Sequence, residues 1–169
     1  MRTLLAVIAA ASLVAGAQAQ CTNLATPGLN GCGNFTPFGI PTIMCAATPT
    51  VGNAAFSVTG NTPCQTSIPV LLIGPCLPAP IVITGPFGAG GFCGPSMASC
   101  LRFIGLPYYA AVMGTLLASP SLWTFPLPIP NDPTLQGATV CIQQVNVCTI
   151  ATTTGLCIGA SQGISVTVQ

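Results

Sequence analysis

Ten cysteines are the residues of this chain with the most chemistry to offer. Cysteines can form disulfides, bind zinc or carry out thiol redox reactions, depending on their spacing and compartment. No two of them are spaced C-x-x-C and the chain has no histidine, which disfavours both a zinc site and a redox-active pair. The even count favours structural disulfides instead. The candidates are Cys21, Cys32, Cys45, Cys64, Cys76, Cys93, Cys100, Cys141, Cys148 and Cys157.

The pairing of these cysteines is left open by the sequence, because ten cysteines allow very many connectivities. Two pairs, Cys93/Cys100 and Cys141/Cys148, share a spacing of seven, which is typical of short bridges across a turn. We expect all ten cysteines to be oxidised in the mature protein.

Charged side chains are scarce, and this excludes most catalytic chemistry. The chain has only Arg2, Arg102 and Asp132, whereas soluble domains average about a quarter charged residues. Glycosidases usually need two carboxylates, a nucleophile needs a neighbouring base, and nucleic-acid binding needs several cations. A glycine-rich run at residues 85–94 lacks the lysine of a phosphate-binding loop. The composition predicts a non-enzyme with no cofactor, no metal and no nucleic-acid partner.

The N-terminus predicts secretion. Arg2 provides a positive start, residues 4–14 are apolar, and Ala17-Gln18-Ala19 matches an A-x-A cleavage pattern. This apolar core is shorter than the about 20 residues that span a bilayer. We expect residues 1–19 to be removed as a signal peptide, leaving a secreted or cell-surface protein with no transmembrane span.

Prolines and glycines then define the fold class. There are 17 prolines and 19 glycines, spread along the chain so that long helices are disfavoured. Between them lie short runs rich in Val, Ile, Thr and Phe, at intervals typical of an all-β sandwich or barrel. We predict one all-β, disulfide-rich, sandwich-like domain at residues 45–169, preceded by a cysteine-containing extension at 20–44. The predicted strands cover residues 54–59, 68–73, 80–84, 101–104, 121–127, 139–148 and 163–168.

Two segments carry local signals that differ from those of the predicted strands. Residues 108–119 are compatible with a short buried helix or a strand, because periodicity cannot separate the two. Residues 131–137 predict a turn, since Asp132 precedes Pro133 and Gly137 permits an unusual backbone angle. We expect Asp132 to cap this turn through backbone N–H groups rather than to pair with Arg102.

Residues 125–137, FPLPIPNDPTLQG, resemble a run that recurs in uncharacterised secreted bacterial proteins. In such proteins the run precedes an apolar strand and a closing strand, which correspond here to residues 138–147 and 159–168. A similar run at residues 50–60 would open the module. The resemblance covers about residues 45–169 and implies a β-sandwich-like module of unknown function, often attached to larger extracellular proteins. We expect this chain to depart from it by standing alone, and it departs from it by its many cysteines. The resemblance implies no catalytic residues.

Two classes of function fit these observations. A structural protein would associate with copies of itself or with an extracellular surface or matrix, because an uncharged β-rich surface lacks the charges that block edge pairing. A binding module would take a neutral ligand such as polysaccharide on aromatic faces. The available rings are Tyr108, Tyr109, Trp123 and Phe125, for which ordinary core packing is the alternative. An exposed coplanar pair would favour binding, and burial of all four would favour the structural class.

Overall fold

The computed structural model describes residues 20–24, 31–32, 40–62, 66–82, 101–114, 117–118, 121–149 and 156–169. The predicted signal peptide, the glycine-rich run and Cys64, Cys93 and Cys100 lie outside them. Within these ranges the secondary structure is strand, apart from one 3-10 turn at Pro133–Leu135, which confirms the predicted all-β class. The strands are β1 (Cys21–Asn23), β2 (Gly31–Cys32), β3 (Ile43–Cys45), β4 (Ser57–Thr62), β5 (Thr66–Gly74), β6 (Cys76–Val82), β7 (Leu101–Ile104), β8 (Ala110–Met113), β9 (Leu117–Ala118), β10 (Ser121–Pro126), β11 (Thr139–Thr149), β12 (Leu156–Ser161) and β13 (Ile164–Thr167).

The largest sheet is built around β11, and every pairing in it is antiparallel. One edge of β11 pairs with β5, from Cys141 opposite Gly74 to Thr149 opposite Thr66. Its other edge pairs first with β13 and then with β12. The sheet is completed by β1 on β13, β2 on β12, and β8 and β9 on the far side of β5. The described parts of residues 20–44 therefore contribute strands to the same sheets as the rest of the chain.

A second sheet, ordered β10-β4-β3, packs on one face of the large sheet. Alternation along β4 and β10 turns every second side chain inwards, so that Val58 and Phe125 face Leu71, Ile142 and their neighbours. Each fully buried aliphatic side chain stabilises the fold by roughly 1.5–3 kcal/mol. The core between the sheets comprises Ile43, Phe56, Val58, Leu71, Trp123, Phe125, Ile142, Ile164 and Val166.

The β6–β7 ribbon covers the opposite face of β11. Successive residues of a strand point to opposite faces, so Gln143 faces the ribbon while Ile142 faces the core between the sheets. Leu101, Phe103 and Ile104 of β7 are buried there. The described part of the chain is thus built in three layers, with β11 in the middle one.

Each of the two disulfides with a defined partner joins two layers. Cys21–Cys45 links β1 of the large sheet to β3 of the second sheet, and Cys76–Cys141 links the ribbon to β11. Cys32 and Cys148 are disulfide-bonded as well. The suggested Cys141/Cys148 bridge is wrong: both residues lie on β11, seven positions apart in an extended strand, and Cys141 bonds Cys76.

The segments with special local signals are also described. Residues 110–113 and 117–118 form strands, which settles the helix-or-strand ambiguity of residues 108–119 wherever the structure describes them. The turn at residues 131–137 is confirmed, with Gly137 at φ 81°. Among the described residues, no helix has the length and apolar character needed to cross a membrane.

Candidate functional site

The four aromatic residues considered for ligand stacking divide into a buried and an exposed pair. Trp123 and Phe125 lie on β10, are less than a tenth exposed, and contact each other edge to face with ring centroids 4.5 Å apart. These two rings belong to the core, as the core-packing alternative predicts for them, and have no face available for a ligand. Tyr109 is 64% exposed and Tyr108 is 37% exposed. The aromatic surface of the described chain therefore lies at the start of β8.

These tyrosines belong to a longer exposed run at residues 106–113, which we call the edge segment. Its sequence is LPYYAAVM, and every residue in it except the half-buried Val112 is exposed. Leu106 and Met113 are 61% and 71% exposed, values unusual for large apolar side chains. The edge segment carries no charge. Contiguous exposed apolar surface of this kind marks interaction sites in soluble proteins.

Pairing with β5 holds the edge segment in place. The N–H of Tyr109 donates to the carbonyl of Ile73 at 2.8 Å, and the N–H of Gly114 donates to the carbonyl of Pro69 at 2.8 Å. Val112 packs against the core beside β5, which anchors the strand from its inner face. The strand is thereby fixed along one edge while most of its side chains stay in solvent.

The other edge of β8 pairs with none of the described strands. Residues opposite each other in an antiparallel pair alternate between hydrogen-bonded and non-hydrogen-bonded positions. The N–H of Gly114 bonds a carbonyl of β5, so the backbone N–H and C=O groups of Val112 and Ala110 also point towards β5. The same groups of Ala111 and Met113 point away from β5. An edge of this kind is a template for pairing with another extended chain.

Two further exposed apolar side chains lie on the outer face of the β10-β4-β3 sheet. Leu122 on β10 is 84% exposed and Met44 on β3 is 60% exposed. Between them, Thr124 of β10 lies opposite Thr59 of β4. These apolar side chains are separated by hydroxyl groups, so this face is less continuous in apolar character than the edge segment.

Buried amide side chains connect the three layers. Gln143 faces the ribbon: its Nε2 donates to the carbonyls of Leu101 at 2.7 Å and Ser161 at 3.0 Å, and its Oε1 accepts from the N–H of Phe103 at 3.2 Å. All three partners are backbone groups of buried residues. A chain with almost no charge thus fastens its layers with neutral hydrogen bonds.

Two further glutamines connect the large sheet to the second sheet. Gln144 Nε2 donates to the carbonyl of Asn61 at 2.8 Å and to Oδ1 of Asn146 at 2.6 Å, and Gln162 Nε2 donates to the carbonyl of Ile43 at 3.0 Å. Gly60 lies opposite Trp123, where a β-carbon would collide with the indole ring and the Gln144 amide. The two sheets therefore need glycine at this point.

The amides within this part of the chain provide hydrogen bonds but no acid–base chemistry. Gln144 Oε1, Asn146 Nδ2 and the indole N–H of Trp123 are buried without a hydrogen-bond partner. None of these groups titrates near neutral pH. Gln143 and Gln144 lie within a run that the sequence predicts as a strand, but their roles are not predictable from it, because their partners lie on other layers.

Asp132 acts within its own turn, as predicted. Its Oδ1 accepts from the hydroxyl of Thr134 at 2.8 Å and from the backbone N–H of Thr134 at 2.9 Å. The first of these bonds, and then the second, hold the pKa of this exposed carboxyl below its usual range. Asp132 therefore caps the Pro133–Leu135 turn.

We expect Asp132→Asn to be mild and Asp132→Ala to lower the melting temperature more, because Asn retains an acceptor oxygen for Thr134. A lowered pKa stabilises the fold above the carboxyl's ordinary pKa, and this contribution is lost as the pH falls through the lowered value. The small difference between wild type and Asp132→Asn should therefore be present near pH 7 and vanish in strong acid. Thermal melts at both pH values test this. Equal large losses for both variants at pH 7 would show that the charge matters more than the cap.

Among the described residues, no three His, Cys, Asp or Glu side chains are grouped so that they could hold a metal ion. Comparison with known proteins adds no relative: no family model matches the sequence, and neither a curated protein nor a solved structure matches it significantly.

Proposed function

We propose that this chain is a secreted, non-catalytic structural protein that associates with copies of itself through the edge segment. The observation that carries the proposal is the exposed, uncharged apolar edge segment at residues 106–113, whose strand β8 lies on the edge of the large sheet. Natural proteins usually protect such edges with charges, and the mature chain has almost none to use. Association would bury the apolar side chains that the isolated molecule exposes.

Composition supports the non-catalytic part of the proposal. Arg102 and Asp132 are the only charged side chains of the predicted mature chain, and Asp132 is engaged by Thr134. The predicted signal peptide and the disulfides support an extracellular or cell-surface location, because disulfides persist in oxidising compartments. Disulfides that join layers would also suit a protein whose task is mechanical or protective.

A binding module for a neutral polysaccharide is the second candidate. It is favoured by Tyr109 and Tyr108, whose exposed rings offer the apolar faces on which sugars stack. This function would use the same edge segment without requiring a second copy.

Light scattering after size-exclusion chromatography distinguishes the two. We expect the oxidised mature protein to elute as an assembly that detergent dissociates, because apolar contact drives it. Its mass should be nearly constant between about pH 5 and pH 9 and insensitive to salt, since no carboxylate or histidine titrates in that window.

A protein that stays monomeric at every concentration tested would contradict self-association. Retardation of that monomer on an uncharged polysaccharide matrix, relieved by soluble polysaccharide, would support the binding module instead. A strong dependence of the mass on pH would show that charged groups control the assembly, and would contradict the apolar mechanism.

A further inference from the structure

We propose that the edge segment pairs with the edge segment of a second copy, antiparallel and about a two-fold axis near Ala111, so that two large sheets become one. This inference rests on the proposed function and specifies how two copies of the same surface pair. In this arrangement the N–H and C=O of Ala111 exchange two hydrogen bonds with the same groups of the other molecule.

The backbone of the edge segment favours an extended strand as the partner. The N–H and C=O groups of Ala111 and Met113 point away from β5, and Ala111 is exposed. A row of such groups is satisfied most fully by the ladder of another strand. The opposite side of the large sheet offers β1 and β2, of three and two residues, and strands this short provide little ladder. Pairing of β8 with β8 therefore gives the longer match.

Charge favours a second copy over an unrelated partner. A two-fold axis brings identical surfaces together, so any charge on the surface would meet its own kind. The edge segment has no charged residue, and the two charged side chains of the predicted mature chain, Arg102 and Asp132, lie outside it. Apolar Met113 and Tyr109 are thus brought against an equally neutral surface, and the contact costs no like-charge repulsion.

Two edge variants and one matched control test the pairing. Ala111→Pro removes an N–H that points away from β5, so the strand can keep its pairing within the molecule. Met113→Lys replaces an apolar side chain with a charged one opposite Tyr109 of the other molecule, where the pairing would remove it from water. Leu122→Lys introduces the same charge at a more exposed apolar position, on the other sheet. We expect both edge variants to lower the mass measured by light scattering by a factor of about two, and Leu122→Lys to leave it unchanged.

The outcomes separate this pairing from the proposed function. Circular dichroism first establishes that each variant is folded. Hydrogen exchange of the wild type gives a second measurement that needs no variant. In it, the amides of Ala111 and Met113 should become more protected as the protein concentration rises. Association that survives both edge variants, without this protection, would overturn the pairing and leave self-association standing. A mass that grows continuously with concentration would also overturn the pairing, because a two-fold contact closes. A monomeric wild type would overturn both.

Discussion

Removing the Cys76–Cys141 disulfide is expected to lower the free energy of unfolding by about 4 kcal/mol. This bridge closes a segment with a sequence separation of 65, so breaking it gives the unfolded chain more conformational freedom than breaking a short one. It also releases the β6–β7 ribbon from β11, the central strand of the large sheet. Denaturant melts of the Cys76→Ser/Cys141→Ser double variant, under oxidising conditions, measure the loss.

The Cys21–Cys45 disulfide supplies a matched control within the same molecule. Its sequence separation is 24, and the Cys21→Ser/Cys45→Ser double variant is expected to lose about 3 kcal/mol. Both double variants remove one whole bridge and leave no unpaired thiol from it. A larger loss for Cys21–Cys45 would contradict the loop-length argument, and would mean that the remaining disulfides already restrain the segment between Cys76 and Cys141 in the unfolded chain.

Local sequence patterns predicted several strands of the two main sheets and β7 of the ribbon, but not β12, which has six residues. The run at residues 101–104 coincides with β7, and the runs at 68–73 and 139–148 lie within β5 and β11. Their alternation and their Pro and Gly boundaries are local properties, which is why a single sequence carries them. The short strands β1, β2 and β3 were missed, because two or three residues are too few to show a period.

The pairing of cysteines was not predictable from the same patterns. Spacing suggested Cys141 with Cys148, but one continuous strand carries both and directs them to opposite faces. Cys141 meets Cys76 because the ribbon folds over β11, a tertiary fact that no local spacing contains. Disulfide geometry depends on the distance between Cα atoms, 4.9 Å for this pair, and not on separation along the chain.

The exposure of the candidate aromatic residues was also not predictable from local sequence patterns. Trp123 and Tyr109 are both aromatic residues in or beside short strands, so residue type and local sequence do not tell which of them is exposed. Trp123 is buried because β10 pairs with β4 and turns the indole towards the large sheet, whereas Tyr109 precedes an edge strand. Exposure therefore follows from sheet order, which is set by pairings between residues far apart in the sequence.

Replacing Gln143 with Leu is expected to lower the free energy of unfolding by about 2–4 kcal/mol, although the two side chains are similar in size. The variant removes three hydrogen bonds and leaves the N–H of Phe103 without the amide oxygen that accepts from it. The β6–β7 register shifts between Cys76 and Ile81, so the ladder does not supply a replacement at this point. An unpaired buried N–H costs about 1–3 kcal/mol by itself. Urea or guanidinium melts measure the change.

Gln136→Leu is the control for this prediction, since the same substitution is made at an exposed position after the 3-10 turn. Surface changes of this kind usually stay within about 0.5 kcal/mol. A Gln143→Leu variant as stable as Gln136→Leu would contradict the role assigned to the amide, because Leu would then restore by apolar packing all that the three hydrogen bonds contribute. A large loss confined to Gln143→Leu would instead show that, in a chain nearly without charge, one neutral side chain holds the ribbon on the sheet. Combining Gln143→Leu with removal of the Cys76–Cys141 disulfide should lower the free energy of unfolding by less than the sum of the two separate losses, because both fasten the same two layers.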